Sequence, residues 1–300
     1  MPPSASRVAS AHIASTTREA CIIAGGEFGG NRCLLKNRDR NYEPELRAYH
    51  EVRNGVEVLY IKDETTGWLE GINEHGIGVV NAALMVGRDE AEKKVVKAVG
   101  KKSKDGERIL KALEETDLDD AIEVACTFKG GIKGHTFLSD SDRTVSVEAT
   151  SKHDCISKPL RKGQVHVRTN HGFHHEDAGY TDGEDYVSSV SRRDQAKKVL
   201  RQVDRPADVG PSVYGKRKRH LDDPTNMVRD TDNMRTTSQL VLDLTKLTAH
   251  LYLIPGKVKY LGMKRDLPKG HEAKLTLKVY EYTDIDGDGD FDVVRRRKRS

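Results

Sequence analysis

Apolar residues recur in two rhythms along this chain, and the order of those rhythms predicts an architecture. Residues 20–24 and 33–35 are almost wholly apolar, with Gly25-Gly26 and Gly29-Gly30 between them, which predicts two short strands around a glycine-rich hairpin. Residues 56–61 predict another strand, and 76–84 a buried one. Apolar positions then fall three and four apart over 89–99, 105–115 and 118–125, the spacing of helices. Residues 136–140 and 144–149 form a hairpin across Ser141-Asp142-Arg143, and a strand over 164–169 delivers Asn170 at its end. Residues 188–203 are helical in pattern, 206–231 are polar and loop-like, and 239–244, 249–253 and 273–282 close the chain as strands. Runs segregated in this way suit an α+β layered fold better than the regular alternation of a parallel sheet.

Composition narrows the function classes. At 300 residues and 36% hydrophobic content the chain can bury a sizeable core in one main domain. Its mean hydropathy is -0.68, and no run approaches the roughly 18 apolar residues of a membrane helix, so no membrane partner is expected. The net charge of +4 is small beside 51 basic and 47 acidic residues. Lys93-Lys94, Lys216-Arg217-Lys218-Arg219 and Arg295 to Arg299 are local basic runs, but no RNA-binding or helix-turn-helix signature accompanies them, and nucleic acid is not the expected partner. Cys21, Cys33, Cys126 and Cys155 are irregularly spaced without a Cys-x-x-Cys pair. That argues against a zinc ribbon or disulfide framework and predicts a reducing, cytoplasmic setting with three of the four as core residues. The first twenty residues are rich in Ser, Ala and Thr, hold no acid before Glu19 and lack the apolar core of a secretory signal. A removable pro-segment ending at Ala20 and a flexible or organelle-targeting extension both fit.

The first hairpin carries the candidate chemistry. Cys21 lies in one strand and Lys36-Asn37-Arg38-Asp39 in the next. A cut between Ala20 and Cys21 would put a thiol and a free α-amine on one residue. Such an amine, with a reference pKa of about 7.7–8.0, can take the thiol proton near neutral pH without a catalytic histidine. Downstream come Gly71-Ile72-Asn73-Glu74-His75-Gly76-Ile77, then Gly134 to Asp140 leading to Val147-Glu148-Ala149-Thr150, then Arg168-Thr169-Asn170-His171 and Ser189-Val190-Ser191-Arg192.

In this order the motifs resemble the amino-terminal nucleophile (Ntn) hydrolases of the linear-amide type, which include penicillin V acylase, bile salt hydrolase and isopenicillin N acyltransferase. The resemblance spans roughly residues 21–256. It implies a four-layer α-β-β-α sandwich of the α+β class and a self-processing cysteine enzyme that acts on linear, non-peptide C–N bonds through a thioester, as acylase or acyltransferase. It also implies residue roles. Cys21 is the nucleophile, Asp39 holds its amine, Asn170 and Asn81 stabilise the oxyanion, and Arg192 activates the thiol or holds a buried carboxylate. Lys36 and Trp68 are the implied substrate contacts. Many relatives carry arginine at the Lys36 position, whose bidentate carboxylate contact a lysine cannot reproduce. Arg38, on the opposite face of its strand from Asp39, is expected to be structural.

This chemistry requires no cofactor, and its partner is a small-molecule amide, with homo-oligomer formation left open. Two other sites compete. His171, His174, His175, Glu176 and Asp177 cluster in a glycine-flanked loop but lack the His-Glu-x-x-His helix spacing of a zinc site. Asp284, Asp286, Asp288, Gly289, Asp290 and Asp292 reproduce the Asp-x-Asp-x-Asp-Gly opening of a calcium loop, although Arg295 stands at its twelfth position. A Ca2+ site and a plain acidic turn both remain open there. The expected organisation is 1–20 as a propeptide or flexible extension, 21–282 as the hydrolase domain and 283–300 as the acidic turn and basic tail. The alternative is a catalytically silent protein on the same scaffold that assembles through that C-terminal segment.

Overall fold

β1 (Glu19–Phe28) and β2 (Asn31–Arg40) pair through a two-residue turn in which Gly29 and Gly30 have φ of 55° and 79°. Positive φ at both turn positions is what a tight hairpin matched to strand twist demands, and glycine meets it without a Cβ clash. This computed structural model describes residues 19–84, 104–215, 225–231, 234–283 and 293–297. After the hairpin come β3 (Glu45–Arg53), β4 (Val56–Asp63), β5 (Leu69–Asn73) and β6 (Gly78–Ala82), then α1 (Asp105–Leu113) and α2 (Leu118–Thr127). β7 (Gly134–Ser139), β8 (Thr144–Ala149), β9 (Ile156–Pro159) and β10 (His166–Arg168) lead to α3 (Gly183–Leu200) and α4 (Val209–Gly215). β11 (Asp230–Thr231), β12 (Met234–Asp243), β13 (Thr248–Leu253), β14 (Lys259–Asp266), β15 (Thr276–Thr283) and β16 (Val293–Arg296) complete the described chain.

The strands form two sheets. One runs β10-β1-β2-β12-β13-β15-β16 with β11 beside β12, and the other runs β14-β3-β4-β5-β6-β7-β8-β9. Ile23, Leu34, Leu240 and Leu251 of the first sheet pack against Leu59, Ile72, Val80 and Phe137 of the second. The outer face of the first sheet buries Ile22, Leu35 and Val241 against Ala196 and Leu200 of α3 and Val213 of α4. The outer face of the second buries Val58, Val79 and Val147 against Ile109 and Leu113 of α1 and Ala121 of α2. The result is the expected α-β-β-α sandwich of the α+β class.

Asn73 rivets the turn after β5. Its Oδ1 accepts from the N–H groups of His75 (3.0 Å) and Ile77 (2.9 Å), while its Nδ2 donates to the Leu113 and Glu115 carbonyls at the end of α1. Glu57 fastens the crossing between β14 and β15, accepting from His50 (2.7 Å), His271 (2.6 Å) and the backbone N–H groups of Lys274 and Leu275. Burial disfavours the charged carboxylate there, but those donors outweigh it and hold the Glu57 carboxyl at about 2.

Two expectations change. Cys126 of α2 and Cys155, ahead of β9, form a disulfide, because α2 packs across β8 and β9 and brings two residues distant in sequence to a Cα separation of 5.5 Å. The region read as a loop from 206 holds α4. The predicted helix over 89–99, the lysine-arginine cluster at 216–219 and the candidate calcium ligands Asp284, Asp286, Asp288, Asp290 and Asp292 lie outside the described residues. No described helix is long and apolar enough to cross a membrane.

Candidate active site

Strand alternation sorts the residues around Cys21 onto two faces. Cys21, Ile23 and Leu34 face the space between the sheets, whereas Ile22, Ala24, Cys33 and Leu35 face α3 and α4. Carried along β2, the period of two sends Lys36, Arg38 and Arg40 inward and Asn37 and Asp39 toward the helices.

On the inner face, Cys21 is 1% exposed and its sulfur receives an N–H from Arg40 Nη1 at 3.5 Å. Arg40 is anchored by Asp63 of β4 (3.6 Å), which also accepts from the Tyr42 hydroxyl at 2.8 Å. Lys36 lies 2.9 Å from one oxygen of Glu70 on β5, and Arg38 pairs with the other. Burial works against ionised Glu70, yet the charges of Arg38, Lys36 and Arg40 prevail and hold its carboxyl below the usual range. Lys36 is therefore committed to Glu70 and to the Asn81 carbonyl, not turned toward a substrate. Trp68 also stands apart, packed in the cluster under α1 and α2 on the far side of the second sheet. Asn81 follows Val79 onto that far face, and its Nδ2 donates to Thr136 Oγ1 (2.8 Å) and the Lys133 carbonyl (3.2 Å). For Asn81 the strand period directs the side chain away from Cys21, whereas Lys36 shares the Cys21 face and is held by Glu70.

On the helix-facing side, Asp39 is fully buried and accepts from Thr236 Oγ1 (2.8 Å) and Arg229 Nε (3.2 Å), with Arg192 Nη1 at 3.5 Å. Arg192 projects from α3, donating to Asn170 Oδ1 (3.0 Å) and to the Cys21 carbonyl (3.4 Å). Asn170 Oδ1 in turn accepts the Cys21 backbone N–H at 3.2 Å. Burial drops the Arg192 pKa to about 10, the neighbouring Arg229 charge adds to that, and Asp39 opposes it. Two residues distant in sequence, Asn170 and Arg192, thus converge on the backbone of Cys21, with Asp39 and Arg229 behind Arg192. In the strand register, however, Asp39 stands across from Ala20, and it is Asn170 that receives the Cys21 N–H. The other end of the Asn170 amide donates to the Ala83 carbonyl at 2.8 Å.

The segment carrying Asn170 is bolted to α3. Its backbone N–H donates to Ser189 Oγ (2.9 Å), which also contacts His171 Nδ1 (2.8 Å), and Thr169 Oγ1 donates to the Ser189 carbonyl. Glu148 accepts from the backbone N–H groups of Phe173, His174 and His175, folding the following loop around its carboxylate. Burial lowers the His171 pKa to about 4 and also pushes His135 below its ordinary value, against the opposing charge of Glu148. Among the described residues, no group of three or more His, Cys, Asp or Glu side chains converges in a way that could hold a metal ion. Arg40, Arg229 and Thr236 belong to this constellation without having been singled out in the sequence, and Ser189 entered there only as the first residue of the motif ending in Arg192. Arg40 directly follows Asp39, a local signal, whereas only the fold connects Arg229 to it.

Residues 28–253 match the protein-family model described as acyl-coenzyme A:6-aminopenicillanic acid acyl-transferase, a span that begins after Cys21. Among solved structures, the Caenorhabditis elegans N-acylethanolamine-hydrolyzing acid amidase (NAAA) ortholog is similar at a TM-score of 0.54 and 12% identity, over 75% of this chain and 93% of that one. Penicillin V acylase from Agrobacterium tumefaciens is also 12% identical, with a TM-score of 0.37 over 78% of this chain and 85% of that one. A comparison with curated proteins finds no match.

Proposed function

The chain belongs to the acyl-coenzyme A:6-aminopenicillanic acid acyl-transferase family, and from that premise we propose that it is a self-processing Ntn enzyme whose nucleophile is Cys21. In this reading residues 1–20 leave as a pro-segment, 21–282 form the enzyme, and 283–300 take no part in the chemistry. The observation that carries it is the convergence of Asn170, Arg192 and, through Arg192, Asp39 on the backbone of a buried cysteine.

Maturation is an intramolecular acyl shift. The Cys21 sulfur attacks the Ala20 carbonyl carbon, the Ala20–Cys21 C–N bond breaks, and the thiol proton passes to the departing nitrogen. Water then hydrolyses the thioester, leaving a carboxylate on Ala20 and a free thiol and α-amine on Cys21. Asn170 Oδ1, already 3.2 Å from that nitrogen, holds the new amine, while Asp39 acts as a positioning residue by fixing Arg192 against Asn170.

In turnover the α-amine takes the thiol proton as sulfur attacks the carbonyl of a small-molecule amide, then returns it to the leaving amine. Water or an acceptor amine resolves the acyl thioester, which separates acylase from acyltransferase outcomes. Asn170 Nδ2 is the donor assigned to the oxyanion, and it must leave the Ala83 carbonyl to serve. Loss of such a donor costs about 2.7–4 kcal/mol of transition-state stabilisation. No cofactor enters either step. The test is a mass-spectrometric screen of N-acyl amines and N-acyl amino acids with hydroxylamine present. The reading requires acyl hydroxamate from the wild type and none from Cys21→Ala, and equal turnover by the two would overturn it.

A further inference from the structure

Arg168 is a buried cation that the steps above leave unused. It ends β10, is 7% exposed, and pairs with Ile23 in the strand register. Directly paired residues share a sheet face, so Arg168 projects between the sheets on the same side as Ile23 and Cys21. Its guanidinium lies 5.8 Å from the ring of Phe137, an inter-sheet residue, and 3.5 Å from the ring of Phe173, which is 47% exposed and roofs it from solvent.

No carboxylate among the described residues pairs with this side chain. Nη1 donates to the Val167 carbonyl at 3.1 Å, and Nε has no hydrogen-bond partner. Glu148 is the nearby anion, but its two oxygens are taken by the N–H groups of Phe173, His174 and His175, with His135 Nδ1 a further 3.5 Å contact. A buried guanidinium without a counter-ion is costly to keep. The edge left open is the one formed by Nε and Nη2, the planar fork that accepts both oxygens of a carboxylate.

We propose that Arg168 is a carboxylate-binding residue of the substrate site, so that the amide substrate carries a carboxylate that docks on the Nε–Nη2 edge beneath Phe173. The inference rests on Cys21, which shares the inner face of β1 with Ile23, the strand partner of Arg168, being the nucleophile. A carboxylate could sit on either side of the scissile bond. N-octanoylglycine places it on the amine side and N-octylglutaramate on the acyl side, and their neutral carboxamides serve as controls.

The experiment measures kcat and KM for these four compounds with the wild type, Arg168→Met and Arg168→Lys, and in parallel their binding to full-length Cys21→Ala with and without Arg168→Met by calorimetry. The expected result is a preference for at least one carboxylate compound over its carboxamide. Arg168→Met should lower that compound's kcat/KM about 30-fold, through KM, and leave the carboxamide within about 2-fold, with Arg168→Lys intermediate. Should Arg168→Met fail to fold, Phe173→Ala, which alters an exposed ring, should give the same selective loss. Equal losses on acid and amide, or no preference in the wild type, overturn the proposal. Arg168-dependent carboxylate binding without turnover would sink the catalytic reading alone, whereas absence of any carboxylate-dependent binding would sink this one.

Discussion

Removing the Asp39 carboxylate tests the buried network most sharply. Asp39→Ala leaves the Arg192 and Arg229 guanidiniums, 1% and 7% exposed, without their shared anion and strips Thr236 Oγ1 of its acceptor. Breaking a buried ion pair from one side typically costs about 3–5 kcal/mol, because the remaining charge stays desolvated. Full burial here means solvent screening gives no discount. Asp39→Asn keeps an oxygen for Thr236 and removes only the charge, so it should cost about half as much. Adding Arg229→Met to Asp39→Ala takes away one of the two cations that faced the lost carboxylate, and the double variant should lose less than the sum of the singles. The assay is urea unfolding in the Cys21→Ala background, which keeps cleavage out of the comparison, followed through the fluorescence of the single tryptophan, Trp68. A loss below about 1 kcal/mol for Asp39→Ala, or strict additivity in the cycle, would refute the reasoning.

Acid sensitivity follows from Glu57, whose folded pKa of about 2 lies below its ordinary 4.5. Its contribution, about 3 kcal/mol, is present above pH 4.5 and lost as pH falls toward 2, so Glu57→Gln should flatten that part of the stability profile measured by denaturant titration at each pH. Cys126→Ser should lower stability by about 3 kcal/mol, and reductant should do the same to the wild type but nothing to the variant. Arg40→Met removes the N–H aimed at the Cys21 sulfur and should slow self-cleavage at least about tenfold in a time course of intact mass. Gly134, at φ 107° and packed against the Ala82 carbonyl, should not tolerate alanine, and a thermal midpoint unchanged in Gly134→Ala would contradict that.

The layered α+β architecture was legible because the strand and helix periods are segregated along the chain, and each cluster of inward residues repeats them. Strands with one half-polar face were harder. β3 alternates buried and partly exposed positions in Glu45 to His50, and β14 is largely exposed, so neither stands out as an apolar run. Both are placed by pairing with each other across the edge of a sheet. The site was partly legible: Cys21, Asn170, Arg192 and Asp39 occupy one neighbourhood. What local spacing could not convey was parity. Asn81 has the right neighbours in sequence, but Val80 and Ala82 take the inner face and leave it on the outer one. Lys36 shares the Cys21 face, yet its charge is consumed by Glu70, a partner visible only once β2 and β5 lie in opposing sheets. Arg229 and the Cys126–Cys155 pair depend on the same long-range closure.

The central claim is that Cys21 becomes the first residue of the mature chain by its own chemistry, and intact-mass spectrometry of the purified full-length protein reads this directly. The account predicts that the wild type sheds residues 1–20 and begins at Cys21, while Cys21→Ala keeps its full mass under the same conditions. A wild type that turns over amides at full length, or a Cys21→Ala chain cut at the same bond, would contradict it.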